Sequence, residues 1–497
     1  MKNWGQDIWD WLKLNSKYNK VFYYLLIAFV IYVFPIILAD TYYIDDVDRS
    51  LAGRASWSKD GRPFTSFFNK IFFGGMPLAD ISPLLLIIAV GLLAYVLTIF
   101  SRKYFNEYSP FMTACGLFFC IANPFLLQNL SFKYDVLGMV VSLCSAFILF
   151  SLPSDVSNKK IFFISSIFSL TIFCTYQAAL GGFLALVGWT ILLDYQKQKS
   201  WIISVKQAGI KVVGCGLAAV IYQVLIIPFS VRNSGYAHSH SQIINVISSQ
   251  GMHTFFSNLY TYLAMTAYIP KGILIIFFAM IIIGVIMVIQ KKIWKASKEI
   301  MIYNIIYYLI LPFFMLISSV LILSLLSTPV FAPRVLISLC VFMTFMGMVV
   351  LKLTQCFSPI RYIFIPFLIC VMALSYTYGN ALKKQSEFDN LIAQQIAFKL
   401  AEIEGAEDKD IYVYGQFPKA REFELAGRKY KLITLLTPHP YGFTSSFIQH
   451  YSNNKLNFVK TKEDSTFEDS EKIHQVREGN TFFDIFNSKE KIIVNVK

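Results

Sequence analysis

Four aspartates fall within nine positions of this 497-residue chain: Asp40, Asp45, Asp46 and Asp48, in the run Ala39-Asp-Thr-Tyr-Tyr-Ile-Asp-Asp-Val-Asp-Arg49. They follow directly on an apolar stretch, so the carboxylates crowd at a membrane interface. Repulsion and partial desolvation make that costly. A cluster kept against that cost fits a task. A carboxylate there can act as general base toward a hydroxyl, hold a divalent metal or hydrogen-bond a sugar. The plainer alternative is a solvated loop whose aspartates cap a helix.

Cations and rings follow in the same loop. Arg49, Arg54, Arg62 and Lys70 alternate with Trp57, Phe64, Phe67, Phe68, Phe72 and Phe73. Residues 62–73 read as an amphipathic helix lying in the interface, entered through the turn Gly61-Arg-Pro63. Arginine grips phosphate bidentately, and aromatic faces suit sugar C–H surfaces. Further along, Lys133 and Asp135 stand at the mouth of an apolar run, either paired with each other or facing the same cleft as Asp45 and Asp46. Tyr176 and Gln177 cap the next outer turn, placed for a sugar hydroxyl. Arg334 is the one charge in its loop, a phosphate ligand or a snorkelling side chain. His238 and His240 would share a strand face, but no third ligand follows at metal spacing, and the eight cysteines show no metal pattern. No metal and no cofactor are expected.

The elements that must position these residues are set by composition. The chain is 56% hydrophobic and 15% charged, against roughly 25% charged in soluble domains. That excludes a soluble globular enzyme, a disordered chain and a nucleic-acid module, and leaves a polytopic helical membrane protein. Eleven apolar runs are long enough to cross: about 21–39, 81–100, 109–127, 135–152, 161–176, 178–194, 207–229, 271–290, 303–326, 335–352 and 361–379. The fifth and sixth form a tight hairpin at Tyr176-Gln177. The whole net charge of +14 lies before residue 381, because residues 381–497 hold 17 basic and 17 acidic residues. Of the 27 basic residues before it, 18 fall in alternate loops, which places the N-terminus in the cytoplasm and the C-terminus outside.

Two extracytoplasmic parts are therefore expected, the loop 40–80 and the segment 381–497. The latter reads as a small α/β domain after a transmembrane domain of residues 1–380. It has a helical pattern over Phe388–Ile403, strand-like runs at Ile411–Tyr414, Tyr430–Leu436 and Lys491–Val496, and a loop at Thr437–Gly442. Trp4–Leu14 reads as a short interfacial helix before a signal anchor.

Several of these segments, taken in order, resemble a known family. Tyr43-Ile-Asp-Asp-Val-Asp-Arg-Ser50, Trp57-Ser and Gly61-Arg-Pro63 resemble the first loop of the type-II O-antigen glucosyltransferases, the serotype-converting membrane enzymes. Asn123-Pro, Asn129-Leu-Ser-Phe-Lys-Tyr-Asp135, Tyr176-Gln-Ala178, Ala332-Pro-Arg-Val335 and Ser375-Tyr-Thr-Tyr-Gly-Asn-Ala381 are similar to its later segments. The likeness covers roughly residues 20–390. It implies a GT-C helical bundle in a bacterial inner membrane, with its active site at the outer face. The implied donor is undecaprenyl-phosphate glucose and the implied acceptor a sugar of lipopolysaccharide O-antigen. A lipid-linked-glucose synthase and a small flippase are the implied partners. The implied mechanism is inverting displacement, with Asp45 or Asp46 as base; Asp45 is the preferred of the two, Asp46 then positioning the acceptor. Arg334 and Lys133 become the phosphate candidates. Asp48, Arg49, Arg62, Asp135, Tyr176 and Gln177 complete the implied substrate site.

Three other classes compete. A lipid-linked saccharide flippase should carry charges in mid-span and broken helices, whereas the acidic residues here gather at span ends. An O-antigen polymerase should show a large outer loop between late spans. A structural scaffold leaves the aspartate cluster without a reason.

Overall fold

The computed structural model describes residues 11–153, 155–198, 200–231, 235–289, 298–437, 444–452, 456–459 and 476–497. Most of Trp4–Leu14, most of the loop Thr437–Gly442 and the side chain of His238 lie outside the described residues.

Among the described residues, seven helices are long and apolar enough to cross a membrane: Ser16–Ala39, Leu84–Tyr104, Gln177–Lys197, Trp201–Ser230, Ile302–Ser324, Pro333–Gln355 and Ser358–Ala401. An eighth crossing is made if Ser249–Tyr268 and Lys271–Gly284, bent by 105°, count together. The other apolar runs differ for physical reasons. The run 109–127 breaks: its helix Pro110–Phe118 stops and a short helix, Leu126–Ser131, follows Asn123-Pro124. Val136–Phe150 spans only fifteen residues, nearly all of them buried, so its apolar character serves the core of the bundle. Asn158–Thr175 spends its first turn on Asn158, Lys159 and Lys160.

The bundle closes tightly where small residues meet. A side chain at Gly347 would come within 2.1 Å of the Gly116 carbonyl, so Pro110–Phe118 and Leu339–Cys356 touch backbone to backbone. Phe119 and Phe367 stack at 3.6 Å beside that crossing.

The first outer loop holds the helix Pro63–Phe72, as the pattern predicts, with Arg62 at its N-cap. Its faces are reversed relative to a soluble helix. Thr65, Ser66 and Asn69 are buried, whereas Phe67, Ile71 and Phe72 are exposed. The polar side finds partners inside: Asn69 donates to the Tyr134 carbonyl at 2.9 Å, and the Ser66 hydroxyl accepts from the Ser58 amide at 2.9 Å. The apolar side is left for lipid.

The C-terminal part hangs on one helix, Phe364–Ala401, which continues past the end of the apolar run. Its distal half buries Ile392, Ala393, Ile396 and Leu400 against a five-stranded sheet. The strands are β1 (Asp410–Tyr414), β2 (Asn457–Val459), β3 (Val476–Gly479), β4 (Phe483–Asn487) and β5 (Lys491–Val496). Their order is β2-β1-β5-β4-β3, with β1 parallel to both neighbours and the β3-β4-β5 ladder antiparallel. Two of the three strand-like runs are therefore strands. The third is not: Lys431–Leu436 is helical, and it buries Leu432, Ile433 and Leu436, the spacing of one helix face. That helix and its neighbour Arg421–Lys429 pack into the main core, not against the sheet.

Candidate active site

The aspartate run forms a helix, Asp45–Ala52, with Asp45, Asp46 and Asp48 in its first turn. Carboxylates there are favoured by the helix dipole. The residue before it, Ile44, has φ 49° and ψ −110°. A β-branched residue in that region costs on the order of 1–3 kcal/mol. The strain turns the chain so that adjacent carboxylates meet different surroundings.

Asp46 is fully buried. It accepts from the backbone amides of Tyr43 at 3.2 Å, Lys133 at 2.8 Å and Tyr134 at 3.4 Å. It thus staples the first outer loop to the second. Burial, with the Asp135 charge beside it, pushes its carboxyl up to about 8, against the downward pull of the amides. Asp45 is different. Its side chain is 46% exposed and 3.6 Å from the Arg49 guanidinium. Asp48 accepts from the Ser446 hydroxyl at 2.5 Å.

Asp135, at the N-terminus of Val136–Phe150, is a buried hub. Arg49 lies 2.8 Å from it, Arg62 lies 3.8 Å away, and the Trp57 indole donates to it at 2.7 Å. Arg49 also stacks over the Trp57 ring at 4.6 Å and is itself buried. Burial works against its charge, but Asp135 and Asp45 more than offset this and raise its pKa. Lys133 and Asp135 do not pair. The Lys133 ammonium sits between Asp40 at 2.6 Å and Asp80 at 2.9 Å, under the Tyr42 ring. Its cationic charge is already matched by two carboxylates.

Arg62 is the more open guanidinium, at 29% exposure, stacked over the Tyr176 ring at 5.0 Å. Gln177 donates to the Tyr222 hydroxyl, and that hydroxyl donates to the Gly61 carbonyl at 2.8 Å. The turn before Arg62 is therefore tied to Gln177. Arg334 joins from a distant loop. Its amide donates to Gln128 Oε1 at 2.6 Å, and Gln128 Nε2 donates to the Tyr43 hydroxyl at 2.9 Å. Its guanidinium faces the Phe132 ring at 5.7 Å, and Phe132 packs against Tyr43.

All ten sequence-derived site residues thus fall in one connected network. Sequence reasoning missed several members: Asp80, Gln128, Tyr222, and the C-terminal helix Thr444–Tyr451 with Ser446 and His450. His450 packs on Tyr42 at 5.7 Å, and the Tyr43 hydroxyl donates to the Leu436 carbonyl. Asp80 carried a signal, an acidic residue near the end of the loop, but the partners in the C-terminal segment lie nearly 400 residues away. A cleft lined by Tyr42, Tyr43, Ile44, Gln385, Asp389 and Phe447 runs between loop and C-terminal segment. Among the described residues no group of three or more metal-ligating side chains comes together.

The arrangement is a half-exposed carboxylate, Asp45, backed by the buried Arg49–Asp135 pair and near the more open Arg62, on a helical membrane bundle. The family described as Glucosyl transferase GtrII matches residues 34–351. The chain belongs to that family. A Salmonella phage P22 protein, described as an uncharacterized 55.3 kDa protein in the gtrB 5′ region, is 28% identical over 437 residues, covering 86% of this chain and 88% of the relative. No solved structure matches significantly. The GtrII match begins inside the first crossing helix and includes the aspartate helix, Asp135, the Tyr176-Gln177 turn and Arg334. It ends before the C-terminal sheet.

Proposed function

We propose that this GtrII-family protein transfers a glucosyl residue from undecaprenyl-phosphate glucose to lipopolysaccharide O-antigen, at the periplasmic face of a bacterial inner membrane. The proposed architecture is a GT-C bundle of eleven apolar segments, with the N-terminus cytoplasmic and the C-terminal segment periplasmic. The observation that carries the reading is the asymmetry of the aspartate helix within the family match: Asp46 is sealed against three backbone amides, whereas Asp45 stands half open beside Arg49.

In the proposed step Asp45 takes the proton of an acceptor hydroxyl as that oxygen bonds to the anomeric carbon. The bond from that carbon to the phosphate oxygen breaks with its electron pair, and inversion follows. The polyprenyl phosphate leaves ionised, so a cation nearby is worth more than an acid. Arg334 and Arg62 are the proposed phosphate ligands. Lys133, matched by Asp40 and Asp80, is reassigned from phosphate ligand to loop support. Asp46 is reassigned from acceptor contact to holding the loop that presents Asp45. A lipid-linked-glucose synthase and a small flippase supply the donor in this reading.

The test is transfer of labelled glucose from undecaprenyl-phosphate glucose to lipopolysaccharide in membranes. Loss of a base is worth roughly 10²–10⁴-fold in rate. Asp45→Asn is expected to fall that far at normal insertion, and Asp46→Asn to fall less. A fully active Asp45→Asn removes the proposed base.

A further inference from the structure

At the end of the bundle opposite the aspartates, four lysines converge on few carboxylates. The helix Leu84–Tyr104 begins near Asp80 and runs twenty-one residues, about 30 Å. Its far end carries Lys103. Lys197 comes from Leu180–Gln198, Lys211 from Trp201–Ile221 and Lys352 from Leu339–Cys356. The buried acid among them is Asp194, 3.8 Å from Lys103. The other acid facing the group, Glu107, is exposed. Four ammonium groups thus meet two carboxylates.

The rest of the lining is rings, amides and carbonyls. Lys103 donates to the Phe150 carbonyl at 3.3 Å and lies 4.8 Å from the Tyr104 ring. Lys197 lies 5.3 Å from that same ring. Lys352 donates to Gln196 Oε1 at 3.0 Å and the Tyr303 hydroxyl at 3.1 Å. Lys211 is the telling member. It is 2% exposed, its ammonium lies 4.8 Å from the Phe150 ring, and among the described residues it makes no hydrogen bond or close ion pair. Snorkelling accounts for the exposed Lys197 but not for Lys211, which is enclosed between helices. An ionisable side chain at such a depth ordinarily has a partner, and the protein supplies Asp194 to several lysines at once. An anion entering the cluster would supply the counter-charge that the protein does not.

We propose that this lysine cluster binds the phosphate of an anionic lipid, in the leaflet opposite the aspartate loop. The aromatic rings that flank the ammonium groups suit the adjoining apolar chain. The same chemistry comes from a glycerophospholipid or a polyprenyl monophosphate, and the titration below separates them.

The experiment uses the full chain in nonionic detergent, depleted of lipid. Its unfolding temperature is followed as phosphatidylglycerol, undecaprenyl phosphate or zwitterionic phosphatidylcholine is added. Saturable stabilisation by at least one anionic lipid, beyond phosphatidylcholine, is expected. Stabilisation by phosphatidylglycerol identifies bulk lipid, and stabilisation by undecaprenyl phosphate alone identifies the carrier. Lys211→Met should raise the apparent Kd at least tenfold, and Lys384→Gln, an exposed lysine in the C-terminal part of Phe364–Ala401, should leave it unchanged. Lys103→Gln, read by retained lipid in native mass spectrometry, serves if Lys211→Met does not fold. Equal stabilisation by all three lipids, or wild-type affinity in both cluster variants, overturns the proposal.

Discussion

Removing the charge of Asp135 tests the architecture of the site most directly. Asp135 is enclosed, 2.8 Å from a buried Arg49, and accepts the Trp57 indole. Asp135→Leu leaves the guanidinium with only Asp45, at 3.6 Å, within ion-pair range. Breaking a buried pair from one side costs about 3–5 kcal/mol, because the remaining charge is uncompensated. The orphaned indole adds about 1–3 kcal/mol. Arg49→Met leaves Asp135 with Arg62 at 3.8 Å and the indole, so its cost falls at the lower end of about 3–5 kcal/mol. The double variant removes both charges, and replacing such a pair with apolar residues is often near neutral. Its cost should therefore reduce to about 1–3 kcal/mol for the indole. The coupling energy between the two sites is then several kcal/mol, where independent sites couple by less than about 0.5 kcal/mol. Reversible unfolding in mixed micelles measures all four corners of the cycle. Additive costs, or single variants within about 1 kcal/mol of wild type, would refute the claim that this pair organises the site.

Three further outcomes follow from the same geometry. Ser446→Ala removes the 2.5 Å bond to Asp48, worth about 1.5–3 kcal/mol to a charged acceptor, and should lower kcat for glucose transfer with the donor KM unchanged. Asp46 is raised to about 8 from an ordinary value near 4. The folded chain therefore binds an extra proton between those values, and that stabilisation is complete below about 4 and lost as pH rises through about 8. The unfolding temperature should fall between pH 6 and 9 in wild type and fall less in Asp46→Asn, as a pH series of melts will report. Phe67→Asp places a charge on the exposed apolar face of Pro63–Phe72. It should leave the fold intact while weakening glucose transfer in bilayers more than in detergent, and equal effects in both would detach that face from lipid.

The local parts of the site were legible because local chemistry fixes them. Asp45 to Arg49 start a helix, Gly61 adopts a left-handed φ of 72° as the turn requires, and the strands at Asp410–Tyr414 and Lys491–Val496 follow their apolar pattern. What was hidden depends on tertiary choice. Nothing in Lys133-Tyr-Asp135 says that its lysine goes to Asp80 and its aspartate to Arg49. The run Tyr430–Leu436 has strand-forming residue types, yet its buried positions follow a helix once it packs into the main core. Apolar runs outnumber the described helices long enough to cross partly because Val136–Phe150 is short and nearly all buried. The difference in surroundings between Asp45 and Asp46, two identical side chains in sequence, exists only after Lys133 and Tyr134 turn their amides toward one of them.

The aspartate helix is completed by residues made almost a whole chain later: Asp48 by Ser446, 398 positions on, and Tyr43 by Leu436, 393 positions on. At 5–20 residues per second of synthesis, roughly 20–80 s separate the emergence of the two halves. During that interval Asp48 and Tyr43 stand without these two contacts. A nascent chain thus carries the aspartate helix before the residues that tie it to the C-terminal segment. Synthesis of the C-terminal segment is therefore the last step in assembling this corner of the fold, whatever the order in which the apolar helices enter the bilayer.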